Sequence, residues 1–316
     1  MKFRMLFSVV MLVSLGGGCA NVVRQYTETQ PIVLSPAPPL GEVIAAVNAN
    51  SQQVHSLHSK DAKIRLPGAP SLSAGIALER DRRFRLKGEN ALLGPIVDLG
   101  SNDELLWLWI RGVQPPATFY CRHDRFAASQ VGRQIPVNPE WLIDAFGLTT
   151  FRADDRHSGP YPAGDGRLEV RTEIAAAAGR MTKATIIDEQ MAWVLEQHLF
   201  DAAGQHVASA VTSQHLRDPL SGATLPRRVE IRWPQQELQL EIDLADVQVN
   251  YLGDHPAAFW TMPNFEGSTL VDLSDPRLRL PSLTPAVETT VTEPAEPTPA
   301  SFILRPDRLL KQLLPR

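Results

Sequence analysis

The sequence predicts a mainly β, α+β fold, on three observations. Apolar and polar residues alternate with period two in segment after segment between residues 71 and 249, the pattern of strands with one buried face. Only two stretches carry helical spacing. Turn residues separate the strands at hairpin distances. Successive antiparallel strands with one polar face predict a single curved sheet, whose apolar face needs a cover. The two helices are the candidates for that cover.

The first helix is expected over Leu40–Leu57, with Leu40, Val43, Ile44, Val47, Val54 and Leu57 at helical spacing behind Pro39. Its middle, Asn48 to Gln53, is polar. Ser71 to Glu79 alternates through Leu72, Ala74, Ile76 and Leu78. After a turn near Asp81-Arg82, Phe84 and Leu86 share one face, with Arg83, Arg85 and Lys87 on the other. Leu105–Ile110 is a denser apolar run with Trp107 and Trp109 on one face. Phe119–Phe126 reads as a further strand. Asn138-Pro139-Glu140 through Gly147 reads as a short helix. Asn138 can cap it, Pro139 fits the first turn, Glu140 suits the positive end of the dipole and Gly147 can close it.

Hairpins follow. Leu168, Val170, Thr172 and Ile174 alternate, as do Met191, Trp193, Leu195, Gln197 and Leu199. A turn over Phe200–Gln205 returns through His206, Ala208 and Ala210. Val229–Trp233 is a strand and Pro234-Gln235-Gln236 a turn. The next strand sets Leu238, Leu240, Ile242 and Leu244 on one face, then changes phase to Val247 and Val249. A bulge near Ala245-Asp246 would absorb the extra residue.

The N-terminus has a different character. Lys2 and Arg4 precede an apolar run, Met5 to Leu15, followed by Gly16-Gly17-Gly18-Cys19. That is the layout of a secretory signal, and the run is too short to span a membrane, which takes about 20 residues. The small residues before the cysteine resemble the lipobox of bacterial lipoproteins, although Gly16 stands where leucine is usual. The resemblance implies lipid on Cys19 after removal of residues 1–18. Ala20, in place of a retaining aspartate, implies the outer membrane of a diderm bacterium, periplasmic face. Ordinary secretion with cleavage elsewhere is the alternative. Residues 19–39, proline-rich toward the end, read as a tether, and residues 40–275 as the β domain.

Composition limits the partners. The 316 residues carry 31 basic and 35 acidic groups, a net −4; removing Lys2 and Arg4 with the signal leaves −6. No basic surplus exists to meet nucleic-acid phosphates or anionic headgroups. A membrane link therefore rests on acyl chains at Cys19, and more than one chain gives stable anchoring. With Cys19 acylated, Cys121 has no cysteine left to pair with.

The chain shows no serine nucleophile elbow, phosphate-binding glycine loop, His-Glu-x-x-His helix or Cys-x-x-Cys pair. Asp154-Asp155-Arg156-His157 reads as a solvated loop before it reads as a metal site or acid–base chemistry. His55 and His58 lack a third ligand. Cys121 and His123, two apart on a presumed strand, read as structural. We assign no catalytic residue, metal or cofactor.

Two stretches resemble the periplasmic carriers and acceptors of outer-membrane lipoproteins, the LolA/LolB family. One is Gly75-Ile76-Ala77-Leu78-Glu79-Arg80-Asp81-Arg82-Arg83-Phe84-Arg85-Leu86, a strand, a turn and a phenylalanine-arginine strand. The other runs from Asp98-Leu99-Gly100-Ser101 to Trp107-Leu108-Trp109, where the family has an aspartate–glycine turn before a tryptophan strand. The likeness covers about residues 40–110, and strand rhythm alone carries it on to 250. It implies an incompletely closed antiparallel β-barrel, a half-barrel with a helical lid over an apolar cavity for lipid or lipoprotein acyl chains. The cavity wall is then expected at Leu78, Phe84, Leu86, Trp107, Trp109, Leu240 and Ile242. A core filled by side chains, with no ligand, is the competing expectation. An anchored member resembles the LolB acceptor, which uses a protruding apolar loop. The stretch Ala91–Val97, with Leu92, Leu93, Ile96 and Val97, is expected either as that loop or packed under the lid. Residues 276–316, rich in proline and threonine, read as a disordered tail. Its apolar-basic end is either frayed or a short helix docking on membrane or a periplasmic protein partner. A scaffold lipoprotein that binds its partner through this tail is the second functional expectation.

Overall fold

The computed structural model describes residues 31–79, 82–129, 132, 139–176, 179–250 and 257–278. The expected anchor at Cys19, the first part of the tether and the tail from 279 onward lie outside the described residues, as do Asp81 and the cap at Asn138.

In chain order the elements are helix α1 (Leu40–Gln52), strands β1 (Ser56–Arg65), β2 (Leu72–Glu79), β3 (Arg83–Asn90), β4 (Gly94–Ser101), β5 (Leu105–Ile110) and β6 (Ala117–Arg122). The one-turn helix α2 (His123–Phe126) and helix α3 (Pro139–Ala145) come next. Strands β7 (Arg156–Pro162), β8 (Arg167–Ala176), β9 (Gly179–Asp188), β10 (Val194–Phe200), β11 (His206–Ser213), β12 (Leu216–Arg217), β13 (Thr224–Leu225), β14 (Arg228–Trp233), β15 (Leu238–Val249) and β16 (Thr269–Asp272) complete the order. Among the described residues fourteen strands form one sheet, β16-β6-β5-β4-β3-β2-β1-β15-β14-β11-β10-β9-β8-β7, and β12 pairs with β13 apart from it. Among the described strands only β16 runs parallel to its neighbour, β6. β16 and β7 are the free edges, so the sheet does not close on itself among the described residues.

The sheet curls strongly. Lys183 on β9 and Phe84 on β3 are seven strand spacings apart, about 33 Å along a flat sheet. Yet Asp144 and Phe146, two residues apart, reach both of them. Asp144 pairs with Lys183 at 2.8 Å, and the Phe146 ring lies 6.1 Å from that of Phe84. Only a sheet wrapped around α3 and the residues after it allows both contacts. The wrapped, concave face carries the main core, from Leu57, Ile76 and Phe84 round to Leu199, Ile231 and Ile242.

Helix α1 begins where expected and ends five residues early. Pro39 is its N-cap, and Ser35 ties the incoming chain to the first turn, donating through its N–H and hydroxyl to the two carboxylate oxygens of Glu42 (2.6 and 2.8 Å). Its polar middle explains the end. Asn48 exchanges two hydrogen bonds with the Phe151 backbone, Asn50 two with that of Thr224, and Ser51 donates to Thr149 O. Val54 and Leu57 leave the helix to join the main core. The apolar stripe Val43-Val47 covers the β8–β10 end of the sheet in a second cluster with Phe151, Val170, Ile187 and Val194. Leu34, expected in the tether, is buried in that cluster, and the N–H groups of Val33 and Leu34 bond to Gln190 O. The end of the tether, at Val33 and Leu34, therefore docks on the domain before α1 begins.

Other expectations shift locally. The stretch Asp98-Leu99-Gly100 lies within β4, and the turn before the tryptophan strand falls at Asn102, whose side-chain oxygen accepts from the N–H of Glu104 and Leu105. Phe119–Phe126 is not one strand. Past Arg122 the chain turns into α2, and His123 bonds back to Asn102 O rather than facing Cys121's side of a strand. In β10 a register shift at Val194/Glu196 replaces the simple alternation, so Val194 and Gln197 point inward and Leu195 is half-buried. The phase change in β15 occurs where expected, with Asp246 at a φ of 47°. The register shift lies one strand away, between β1 and β2 at Ser59/Ala62, because β1 changes phase together with β15 and keeps their pairing continuous.

Candidate functional site

The concave face and its helical cover form the candidate site. Leu78, Phe84, Leu86 and Ile242 lie there, each 5% exposed or less, and Leu240 is half-buried against them. Strand pairing brings them together: Leu78 faces Phe84, Ile76 faces Leu86, and Leu240 and Ile242 face Ile231 and Val229. Helix α3 closes the face from above. Trp141, Ile143 and Ala145, with Phe146 just beyond, are buried in the same cluster, and Trp141 packs 6.4 Å from Trp233. Gly147 takes a φ of +79° and ends the helix, the conformation that glycine adopts without strain.

Trp107 and Trp109 stand on the other face, which corrects their expected place in the wall. Leu86 pairs with Leu99 and Leu99 with Leu108, so Leu106, Leu108 and Ile110 take the inner register. The tryptophans fall opposite Gly100 and Asp98 on the outer face. Gly100 is required there, because a Cβ on it would sit 2.1 Å from the Trp107 ring. Trp107 donates to Asp98 at 2.9 Å, and Asp98 pairs with Arg85, both side chains under 10% exposed. Arg85 also donates to Phe259 O and lies over the Trp107 and Phe259 rings. Trp109 stacks on Phe265 at 4.1 Å. Phe259 and Phe265 therefore cover this part of the outer face.

The expected apolar loop divides. Leu92 and Leu93 form the tip of the β3–β4 hairpin, 94% and 37% exposed, with their N–H groups donating to the Asn90 side chain. Ile96 and Val97 belong to β4, where a register shift at Gly88/Glu89 lets both pack against the main core. One half protrudes and the other lies under the cover.

Sequence reasoning missed a polar patch inside the concave face. Thr172, Lys183, Thr185 and Gln197 lie on adjacent strands β8, β9 and β10, none more than 5% exposed. Met181 and Leu199 border them on one side, Val170, Ile187 and Val194 on the other. Lys183 Nζ binds Asp144 of α3 at 2.8 Å, and Gln197 donates to Asp144 O at 2.7 Å. Gln197 Oε1 and Thr185 Oγ1 have no hydrogen-bond partner among the described residues. His157 is absorbed structurally, bonding to Thr172 Oγ1 and Arg152 O and edging onto Phe151. The signal that could have found Lys183 was its spacing, two residues from Met181 and four from Ile187 on the face that carries both.

A small cavity of about 10 Å³, room for one water, is lined by Val47, Asn50, Gly147, Val194, His215 and Pro226. None of the expected wall residues lines it. Burial holds the His215 imidazole below its ordinary pKa, against hydrogen bonding to Val194 O and the charge of Asp188. Burial, with Asp272 and Asp124 adding to it, pushes the Cys121 thiol up to about 11. Among the described residues no group of three His, Cys, Asp or Glu is placed to hold a metal. No helix of the described residues is long and apolar enough to cross a membrane.

No family model and no curated protein matches the chain. Solved structures do. The fold is similar to that of a DUF1329 family protein from Desulfovibrio piger, with 11% identity over 71% of this chain and 97% of that one, at a TM-score of 0.47. It is similar to a putative outer membrane lipoprotein-sorting protein domain from Vibrio parahaemolyticus, with 9% identity over 67% and 94% and a TM-score of 0.46. It is also similar to a LolA superfamily protein from Nitrosomonas europaea, with 10% identity over 69% and 97% and a TM-score of 0.43.

Proposed function

We propose that this chain is a non-catalytic lipoprotein, held to the outer membrane through Cys19, whose concave sheet face accepts acyl chains when helix α3 lifts. One observation carries the reading: the apolar concave face is closed by a helix of seven residues, too short to be stable alone. What fills the face from that side is Trp141 and Ile143 of this short helix and Phe146 just beyond it. Their removal opens an apolar surface bounded by Leu78, Phe84, Leu86, Leu240 and Ile242. An acyl chain laid there gains about 0.8 kcal/mol per buried CH₂, which offsets the loss of the helix's own packing. The exposed Leu92-Leu93 hairpin tip suits contact with a lipid surface.

The test is native mass spectrometry of the full chain carrying Cys19→Ala, purified without detergent. Acyl-bearing adducts that disappear on delipidation are the expected result. Bare polypeptide in every preparation refutes the reading. That outcome favours the second one, a scaffold lipoprotein, which the fully buried Leu78, Phe84 and Ile242 support because they already form a packed core. A scaffold loses partner binding, and keeps its fold, when residues 281–316 are deleted.

A further inference from the structure

Within the acyl-binding reading, on which this step rests, we propose that the concave site takes a long-chain amphiphile with an anionic head, recognised by Lys183, Gln197 and Thr185. Helix α3 occupies the site as an internal stand-in for that ligand. It presents one carboxylate, Asp144, flanked by Trp141, Ile143 and Phe146: a charged head among apolar groups. The carboxylate meets Lys183 at 2.8 Å, and the carbonyl of the same residue takes the Gln197 amide proton at 2.7 Å.

The consequence of lifting α3 follows from burial. Lys183, with its side chain 7% exposed, and Gln197, fully buried, lose their oxygen partners while Met181, Leu199, Val170 and Val194 still surround them. A buried ammonium without a counter-charge is strongly disfavoured. The cover therefore stays down unless the incoming molecule brings acceptor oxygens and a negative charge. A carboxylate or phosphate head supplies both, and its remaining oxygen can accept from the Thr185 hydroxyl, which has no hydrogen-bond partner among the described residues. A neutral alcohol of the same chain length supplies no charge. The cross-strand pairing of Thr185 with Gln197, and Lys183 two residues along the same face of β9, places the three donors on one patch for a single head. The acyl tail then runs from this patch across the Met181–Leu199 side toward Ile231 and Ile242.

The test compares three ligands below their micellar concentrations on the full chain: palmitate, hexadecyl phosphate and hexadecanol. Palmitate, hexadecyl phosphate or both are expected to bind at least tenfold tighter than hexadecanol, and the stronger of the two identifies the head. Lys183→Met is expected to erase that preference, bringing hexadecanol binding level with that of the two anionic ligands, and an unchanged far-UV circular dichroism spectrum reports that the variant is folded. Asp144→Asn, which weakens the internal competitor, is expected to tighten palmitate binding severalfold and to carry the test if Lys183→Met does not fold. Equal binding of all three ligands, or a preference that survives Lys183→Met, overturns the head-group assignment and leaves acyl binding standing. Binding of none of them refutes acyl binding itself.

Discussion

Replacing Phe146 with alanine probes the seating of the cover. Phe146 is 1% exposed, its ring packs 6.1 Å from that of Phe84, and it lies in the cluster that joins α3 to the sheet. Truncating a buried phenylalanine removes its transfer free energy and leaves a cavity, a loss of about 3–5 kcal/mol where the surroundings cannot collapse. They are poorly able to do so here, because strand pairing on both sides fixes the backbone of Phe84. For a domain of this size each kcal/mol lowers the melting temperature by roughly 2–4 °C, so Phe146→Ala should melt about 6–20 °C below the wild type in scanning calorimetry. The cavity opens on the concave face, so acyl ligands should restore part of the lost stability. A melting temperature unchanged within about 1 °C would show that α3 is not packed on the sheet in solution, and the account of the cover would fail.

Other outcomes follow from the same geometry. Arg85→Ala leaves Asp98 buried without its counter-charge, which should cost about 3–5 kcal/mol in urea unfolding; adding Asp98→Leu should recover part of it. Burial lowers the pKa of both His215 and His206, with His198 adding to the effect at His206. Below the ordinary imidazole value the unfolded chain takes up protons that the folded chain refuses. The stability present above about pH 6.5 should therefore drain as pH falls through the folded values. Denaturation midpoints from pH 7.5 down to 5 should show that loss, and His215→Gln should flatten it. Cys121, with its thiol pushed up to about 11, should resist a thiol reagent at pH 8 until the protein unfolds, since only about one thiol in a thousand is ionised three units below the pKa.

Much of the sheet was legible because one face is apolar and the other polar. Leu72, Ala74, Ile76 and Leu78 alternate against Ser73 and Glu79, and all four are buried in the main core. Leu238 to Leu244 reads the same way, including the change of phase after it. Legibility fails where both faces are apolar. In Leu105-Leu106-Trp107-Leu108-Trp109-Ile110 period two groups the tryptophans but cannot say which side they take. The side is settled by pairing through β4 and by a cover arriving from Phe259 and Phe265, about 150 residues downstream. Legibility also fails at Lys183, since a lysine in an alternating strand normally marks the solvent face. Its partner Asp144 lies 39 residues earlier in another element, a pairing no local pattern encodes. Asn48, Asn50 and Ser51 misled in the opposite way. They read as the polar middle of a helix running on to Leu57, yet they hold the backbones of Thr149, Phe151 and Thr224 against α1.

Photo-crosslinking with a diazirine-bearing palmitate, mapped by mass spectrometry, tests most directly whether acyl chains lie beneath α3. Adducts on Leu86, Ile231, Ile242 and the inner side of α3 are the predicted result. Adducts confined to exposed residues such as Leu92, Leu216 and Leu220, with the concave face unlabelled, would contradict the account.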